Sequence, residues 1–484
     1  MWINDSILSK KISNEIWFFR FKKFDETQYL LTNDIWKYTF LSNTDFQKFI
    51  MWNIDKKDQL YNKLDELWFI KSENYEEKMI EWFVKKNHFV WMWATLHMII
   101  VTLRCNHKCK YCHAAVAPMT ATQFDMSMET AKQVVDTIFF SRSNALTIEF
   151  QWGEALLNYS VVQYIVDYAL EKAEVFNKNL SFSLVSNLTL LTEEKLARLL
   201  DKGVDICTSL DWNEVIHNHN RSWYDGNSFD KVTYWMKRLD EEKMKRWMWR
   251  VGALLTSTKE TLWSYKEIID TYVDQWLDNI FLRWLNPYWF AASDMEKLAY
   301  DKKQWMEFYE KSLDYILELN LKGISMRESM TSIYLMKIFN DRDPGFMDIR
   351  SPSWLAVGWI AYNYDGKIYA SDESRMLWRM WIDDFLMTEM LDSPEKTFRS
   401  LVNSDISKIS VQSSCLDGLP GYNDHVYKPY LWVDIIHNFK VSWSVFLPLM
   451  KDEKIQIQIE MIDIIFKKLN NPEYKKIFLS WIGK

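Results

Sequence analysis

The most regular hydrophobic pattern lies between about residues 95 and 325, where short apolar runs alternate with amphipathic stretches. The runs are rich in β-branched residues and have the length of strands, and the stretches between them show helical periodicity. Because strands that alternate with helices form βαβ units, the pattern predicts a parallel sheet of six strands. Periodicity alone leaves open whether this sheet is a partial (β/α) barrel or a doubly wound sheet. The six predicted strands are HMIIVTL, ALTIEFQ, LSFSLVS, VDICTSL, RVGALLT and NIFLRWL.

The two flanking parts of the chain lack this alternation. Residues 1–92 contain the aromatic-rich runs IWFFRFKKF and TQYLLTNDIWKYTFLS, followed by the amphipathic stretches TDFQKFI and KDQLYNKLDELWFI. They predict a small α+β domain built from a hairpin and short helices. Residues 326–484 predict an irregular extension that ends in one helix over 457–470. The predicted organisation is therefore three domains, over 1–92, 93–325 and 326–484.

Composition and charge exclude several classes of protein. The 484 residues are 48% hydrophobic and 26% charged, which is typical of a globular protein. A net charge of −7 argues against binding to nucleic acid or to an anionic membrane. The most apolar run, 89–103, is shorter than the roughly 20 residues of a membrane helix, and MWINDSILSKK has no apolar signal segment. We therefore expect a cytoplasmic protein without a membrane span.

Cysteine usage points to metal chemistry. Five cysteines are too few for a disulfide framework, and three of them, Cys105, Cys109 and Cys112, fall within eight positions directly after the first predicted strand. Ligands of α/β sheets bind at this end of a strand. Three thiolates can hold three irons of a [4Fe–4S] cluster and leave the fourth iron open. The alternative is a zinc site with His107 or His113 as fourth ligand, although structural zinc sites more often use two separated ligand pairs.

The spacing C-x3-C-x2-C, with Tyr111 before the last cysteine, resembles the signature of radical S-adenosylmethionine (SAM) enzymes. Over about 95–435 the chain resembles the radical SAM maturases of the His-Xaa-Ser peptide system, which are relatives of sulfatase-maturating and SPASM-type enzymes. The resemblance implies a partial (β/α)6 radical SAM barrel with a small α+β N-terminal domain and an irregular SPASM-like C-terminal extension. It rests on TLRCNHKCKYCHA, TIEFQWGEALLN, VDICTSLDWNEVIHNHNR, FLRWLNP and CLDGLPGYNDHVYKPY.

The resemblance also implies an activity, cofactors and partners. A radical SAM maturase carries one [4Fe–4S] cluster on the three cysteines, cleaves SAM reductively to a 5′-deoxyadenosyl radical and modifies a ribosomally made peptide or protein. Its partners are that substrate and a small electron donor such as flavodoxin or ferredoxin, with no nucleic acid or membrane. The alternative is a degenerate homologue that acts as a peptide-binding or scaffold subunit.

Eight further residues are implied as cofactor contacts, and the sequence identifies no catalytic acid or base. An arginine fork suits the carboxylate of SAM, and a carboxylate suits its ammonium group. Glu154 has an alternative role as a helix N-terminal carboxylate, and Asn187 has one as a turn residue. The implied contacts are Tyr111, Gln151, Gly153, Glu154, Asn187, Ser209, Asp211 and Arg221.

The chain departs from SPASM-type relatives at the cysteines that hold auxiliary clusters. Of these positions only Cys415 keeps a thiol, and one thiolate cannot hold a cluster. The sequence therefore predicts no auxiliary cluster. The other positions read Ser353, Ser371, Tyr422, His425, Leu431 and Asp434.

Tryptophan is the second departure. The chain has 11 glycines where roughly 34 are usual, and it has 26 tryptophans. Trp152 and Trp212 stand at expected glycine positions, and Trp276 occupies the helix C-cap slot that Gly203 and Gly323 occupy elsewhere. Some bacterial lineages read the codon UGA as glycine. Translation of such a gene with a code table that reads UGA as tryptophan would place tryptophan at glycine positions. Genuine divergence is the alternative, and the missing cysteines favour it.

Overall fold

The computed structural model describes residues 14–286, 298–340, 344, 346 and 349–484. The segment MWINDSILSKK and the last residue of FLRWLNP lie outside these ranges. In chain order, the strands are β1 (Arg20–Lys23), β2 (Gln28–Thr32), β3 (Tyr38–Ser42), β4 (Leu96–Ile99), β5 (His107–Cys109), β6 (Ala145–Phe150), β7 (Asn179–Val185), β8 (Val204–Ser209), β9 (Arg221–Trp223), β10 (Ala253–Thr256), β11 (Asn279–Ile280), β12 (Leu282–Arg283), β13 (Arg327–Glu328), β14 (Trp359–Tyr362), β15 (Lys367–Tyr369) and β16 (Leu386–Glu389).

The helices surround these strands and most begin at a Ser, Thr, Asp or Asn whose side chain accepts a backbone N–H. They are α1 (Asn43–Ile50), α2 (Gln59–Glu66), α3 (Tyr75–Asn87), α4 (Phe89–Met92), α5 (Met128–Ile138), α6 (Tyr159–Phe176), α7 (Glu193–Asp201), α8 (Glu214–Asn220), α9 (Ser228–Lys245), α10 (Tyr265–Asp274), α11 (Lys302–Leu321), α12 (Ser329–Phe339), α13 (Asp372–Trp378), α14 (Pro394–Val402), α15 (Asp405–Ser414), α16 (Ile435–Ser442), α17 (Glu453–Leu469) and α18 (Pro472–Trp481).

Strands β1, β2 and β3 form an antiparallel sheet in that order, and α1 and α2 follow it. Leu31 of β2 packs with Phe49 of α1 and with Phe69, and the neighbouring Leu30 is buried in the main core. The predicted hairpin with short helices is present in the described part of residues 1–92.

The central sheet runs in the order β12-β10-β8-β7-β6-β4, and all its neighbouring strands are parallel. Helices α5, α6, α7, α9, α10 and α11 follow successive strands and bury one apolar face each against the sheet. This arrangement confirms the predicted mixed α/β fold with six βα units. In a parallel sheet the carboxyl ends of the strands lie along one edge, and the predicted site residues lie at that edge.

The C-terminal region is more regular than its sequence predicts. Strand β14 pairs in parallel with β4, and β15 and β16 continue the sheet in antiparallel fashion. These strands have three or four residues each, which is too short for a periodic signal, and β14 finds its partner more than 250 residues away.

The predicted helix over 457–470 is present as α17, and a second helix that was not predicted, α18, follows it. Asn471 caps α18, and Pro472 at its first position starts the new helix. No helix in the described residues combines the length and apolar character needed to cross a membrane.

Candidate cofactor site

A cavity of about 150 Å³ opens at the carboxyl ends of β4, β6, β7 and β8. Every predicted site residue except Asp211 lines it. The tertiary structure therefore brings together side chains that are more than 100 residues apart in the chain. The lining includes Cys105, Cys109, Tyr111, Cys112, Gln151, Gly153, Glu154, Asn187, Ser209 and Arg221.

The cysteine loop, residues 102–113, is held by backbone hydrogen bonds along its length. Its short strand β5 pairs with β9, and the N–H of Lys110 donates to the carbonyl of Asn220 at 2.9 Å. Cys105 donates its N–H to the carbonyl of Ala117 at 3.1 Å. These bonds fix the loop so that its three thiols face one cavity.

Arg104 anchors the start of this loop. Its guanidinium makes a bidentate pair with Asp125, with distances of 2.8 and 2.6 Å, and donates to the carbonyls of Met119 and Leu157. Planar bidentate pairs of this kind set both distance and orientation. Arg104 therefore ties the cysteine loop to the segments that follow β4 and β6.

The three thiols lie in an environment that disfavours a bare thiolate. Burial raises the pKa of Cys105, Cys109 and Cys112, and that of Cys109 reaches about 12. A nearby metal charge lowers the pKa of a coordinating thiol and deprotonates it. At neutral pH the three buried thiols therefore stay protonated unless a metal displaces the proton.

The two histidines of the loop do not complete a zinc site. His107 has both ring nitrogens within hydrogen-bond distance of protein partners, Ser228 Oγ at 2.9 Å and Asn106 Oδ1 at 3.3 Å. The ring of His113 packs edge-on against that of Trp152. Neither ring is therefore placed as an unengaged fourth ligand beside the three thiols.

Gly153 allows the segment after β6 to approach the cysteine loop. Its φ is 61°, and a Cβ there would lie 2.4 Å from the carbonyl oxygen of Thr102 and 2.8 Å from that of Arg104. The next residue, Glu154, donates its N–H to the same Arg104 carbonyl at 2.8 Å. Only glycine fits a position this close to another backbone.

The Glu154 carboxylate is fully buried and accepts three hydrogen bonds from its own chain. The donors are the N–H of Leu156 at 3.1 Å, the hydroxyl of Ser186 at 2.9 Å and the N–H of Asn187 at 2.9 Å. The bond to Leu156 caps a short helical turn. Glu154 therefore has the helix-terminal role in addition to its place in the cavity wall. Burial raises the pKa of this carboxyl group.

Asn187 likewise combines two roles. Its side-chain oxygen accepts the N–H of Thr189, which makes a local turn, and its amide donates to Asn106 Oδ1 at 2.8 Å. The side chain is thereby fixed at the cavity wall and linked to the cysteine loop.

Asp211 lies behind the cavity wall. It is fully buried and accepts hydrogen bonds from the hydroxyl of Tyr111 and from Nε of Arg221. The Arg221 guanidinium also lies over the Tyr111 ring, 5.2 Å from its centroid. Asp211 thus does not line the cavity directly, and its carboxylate orients Tyr111 and Arg221, which do.

Sequence reasoning missed several residues near the cavity. His113, Trp152 and Arg283 line it. Arg375 is fully buried, donates to the carbonyl of Ala114 at 2.8 Å, and has Nε and Nη1 without a hydrogen-bond partner. Asp372 accepts the indole N–H of Trp152 at 2.9 Å. The motif SDESR carries both Asp372 and Arg375, but nothing in it reveals that α13 packs against the cysteine loop.

The positions where the resemblance implies auxiliary-cluster cysteines are occupied by residues with other contacts. The N–H of Ser353 donates to Ser414 Oγ, and Ser371 caps α13. Tyr422 donates to the carbonyl of Leu447. His425 Nδ1 accepts the N–H of Tyr427, and Leu431 is buried in the core. Asp434 caps α16 and pairs with Lys454.

Sequence relatives cover parts of the chain. An uncharacterized protein of Methanocaldococcus jannaschii is 32% identical over 120 residues, which are 25% of this chain and 40% of that protein. This chain therefore spans less than half of that relative. An uncharacterized protein of Methanothermobacter thermautotrophicus is 25% identical over 222 residues, 46% of this chain and 79% of that protein.

Two solved structures share the fold over most of the chain. The protein anSMEcpe with bound AdoMet is 16% identical, with a TM-score of 0.62, over 79% of this chain and 100% of its own. Streptococcus suis SuiB bound to precursor peptide SuiA is 12% identical, with a TM-score of 0.51, over 92% of this chain and 99% of its own.

The family comparison coincides with the cavity. Residues 99–271 match the family model described as the radical SAM superfamily, whose members carry a [4Fe–4S] cluster and use SAM. The matched range contains the cysteine loop and the ends of β6, β7 and β8. Residues 99–271 of this chain are therefore similar to a radical SAM domain, in agreement with the resemblance that the cysteine spacing carries.

Proposed function

We propose that this protein is a radical SAM maturase that modifies a ribosomally made peptide or protein. In this proposal Cys105, Cys109 and Cys112 hold one [4Fe–4S] cluster, and SAM binds beside it. The observation that carries the proposal is the single cavity in which three thiols meet Gly153, Glu154 and Arg221 at the carboxyl ends of parallel strands.

The surroundings of the thiols fit an anionic cluster. Thiolate-bound iron–sulfur clusters are stabilised by hydrogen bonds to sulfur and by nearby positive charge. Arg375 supplies two buried N–H groups without partners, beside a loop carbonyl two residues from Cys112. A buried, unpaired donor is costly, so these groups fit a bound acceptor at this place.

When bound, the cluster and SAM supply a 5′-deoxyadenosyl radical that abstracts hydrogen from the substrate. The protein's own residues bind and orient the cofactor. Gly153 gives a ligand access to the backbone at the carboxyl end of β6, and Arg221 offers guanidinium N–H groups to a carboxylate. Asp211 holds Arg221 in place from behind.

Glu154 has one hydrogen-bond acceptor site left that could receive the ammonium group of SAM. A carboxylate offers about four lone-pair sites, and three of them are occupied by protein donors. One site is left for a donor from the cavity. An ammonium at that site would offset the charge of a carboxylate that is otherwise buried without a cationic partner.

The N-terminal unit is the proposed place for peptide recognition. A three-stranded sheet has two edges, and an extended leader peptide could add a strand to one of them. A purely stabilising role has support as well, because Tyr38 of β3 packs on Phe466 of α17 and Arg20 of β1 bonds to Asn423. The proposed electron donor is a small protein such as flavodoxin or ferredoxin.

The test is anaerobic reconstitution with iron and sulfide, followed by addition of reductant and SAM. We expect about four irons per chain and formation of 5′-deoxyadenosine. Cys112→Ala should lose both, and Cys415→Ala should keep both, because Cys415 lies outside the cavity. A cluster-containing protein that forms no 5′-deoxyadenosine would contradict the enzyme assignment.

One observation favours a second function, that of a peptide-binding or scaffold subunit. The Trp152 indole stands inside the cavity wall and bonds to Asp372, where it reduces the space for a cofactor. A scaffold protein would bind peptide without consuming SAM. The same assay, joined to a peptide-binding measurement, separates the two functions.

A further inference from the structure

Nine tryptophans adopt backbone conformations that favour glycine. Their φ angles lie between 54° and 71°. For an L-residue the left-handed region brings Cβ too close to the following carbonyl oxygen, and a bulky residue there is an outlier. The nine are Trp36, Trp52, Trp68, Trp93, Trp152, Trp247, Trp276, Trp381 and Trp443.

Several of these residues end helices in the way that glycine does. After α10, the N–H of Trp276 donates to Val273 and that of Leu277 donates to Tyr272, at 2.9 and 3.0 Å. After α11, Gly323 and Ile324 make the same two bonds, both at 3.0 Å. This is the Schellman motif, whose left-handed position is usually glycine. Trp52, Trp68 and Trp247 repeat the pattern after α1, α2 and α9.

At two further positions the backbone conformation favours glycine for other reasons. Trp93 has φ 68° and ψ 175°, a region that is essentially reserved for glycine. Trp36 follows the turn that begins at Asn33, between β2 and β3, and its left-handed φ is the one that glycine supplies in such hairpins.

At several of these positions burial of the indole does not offset the backbone strain. Trp247 is 97% exposed and Trp381 is 96% exposed. An exposed indole gains nothing from the hydrophobic effect, so it does not offset the backbone cost. Trp212, in contrast, has no positive φ, so the expectation of glycine there has no backbone support.

We propose that these nine positions carry glycine in the polypeptide made by the cell, because UGA is read as glycine there. Glycine at position 152 changes the cofactor cavity, whose role rests on the proposed function. Glycine at position 152 extends the cavity through the space of the indole. It also removes the N–H donor from Asp372, whose carboxylate then lies at the wall of the enlarged cavity.

The nucleotide sequence gives the first test. UGA at the nine codons is the expected result, and UGG at those codons overturns the proposal. Mass spectrometry of the protein from its native cells reads the residues directly, and tryptophan at the nine positions in that protein would overturn it as well.

A second test compares full-length proteins that differ only in these residues. The variant with the four exposed tryptophans, Trp247, Trp276, Trp381 and Trp443, changed to glycine should unfold at a higher temperature than the chain with tryptophan, because it relieves backbone strain without opening a cavity in the core. A matched control changes Trp235, Trp305 and Trp481, which are buried within helices, to glycine, and it should unfold at a lower temperature. A lower unfolding temperature in the four-fold variant overturns the proposal.

SAM binding by the reconstituted proteins tests the cavity separately. Trp152→Gly should bind SAM at least about tenfold more tightly in equilibrium dialysis than the parent protein. Equal or weaker binding, with measurable binding by the parent, overturns the cavity extension. Higher thermal stability without SAM binding by either protein supports the glycine assignment and contradicts the proposed function instead.

Discussion

The cysteine loop and the C-terminal positions where the resemblance implies auxiliary-cluster cysteines differ in what surrounds them. The three thiols of the loop face an open cavity. At the C-terminal positions the chain is held by internal bonds, such as that from the Ser353 N–H to Ser414 Oγ, or is buried in the core. One set of residues is open to a ligand, and the other is tied to the protein itself.

The difference separates thiols that a cofactor can reach from positions that the protein closes itself. Arg375 packs beside the cysteine loop with two N–H groups that lack a hydrogen-bond partner. In the proposed function these donors fit an anionic cluster. Ser410 Oγ of the C-terminal region also lacks a partner among the described residues, so the open thiols, and not unpaired donors, set the loop apart.

The largest expected effect is on metal content. Cys112→Ser should reduce iron after reconstitution to the level of an unreconstituted control, because a hydroxyl is a poor ligand for iron–sulfur clusters. Cys415→Ser should leave iron unchanged. Iron and sulfide assays with the absorbance spectrum measure both. Loss of iron in the Cys415 variant would break the contrast between the two regions.

Arg104→Lys should cost about 2 to 3 kcal/mol in the free energy of unfolding, because a lysine cannot reproduce the bidentate pair with Asp125. The reconstituted variant should also retain less iron, since the loop loses its anchor. Urea unfolding followed by circular dichroism gives the first value, and an iron assay gives the second. Unchanged values in both would show that Arg104 does not hold the loop.

His97, at the junction of the two regions, should make stability depend on pH. Burial lowers its pKa to about 3, from an ordinary value near 6.5. The folded state keeps it neutral while the unfolded chain takes up a proton, so stability present above pH 6.5 is lost as the pH falls toward 3. The loss due to this group should be about 2 kcal/mol at pH 5.

His97→Phe should remove this part of the acid sensitivity, which urea unfolding at pH 7 and pH 5 measures. Tyr362→Phe serves as the control, because it removes the hydroxyl near Nδ1 and keeps the histidine. An equal pH dependence in the parent and in His97→Phe would assign the acid sensitivity to other groups.

The smallest effect is expected in the C-terminal region. Ser414→Ala leaves the N–H of Ser353 without its acceptor and should destabilise the protein by about 1 to 2 kcal/mol. Exposed Ser442→Ala should stay within about 0.5 kcal/mol of the parent. Iron content should be the same in both variants. A loss of iron in Ser414→Ala would connect this region to the cluster.

Local patterns were enough to predict the six central strands and the helices between them, because each element has its own periodicity. The pairing of β14 with β4 was not predictable, since it joins four-residue strands from distant parts of the chain. The site shows the same division. Cysteine spacing identifies the thiols directly, whereas the unpaired donors of Arg375 depend on how α13 packs against the loop.

By itself, the sequence determined the alternating βα architecture, the three clustered thiols and the shortage of glycine, because periodicity, ligand spacing and composition are local properties. Only the tertiary structure decided that Asp211 lies behind Arg221, that the auxiliary positions are closed, and that nine tryptophans have left-handed backbones. These facts depend on contacts between distant segments and on φ angles. Such contacts and angles exist only once the chain is packed.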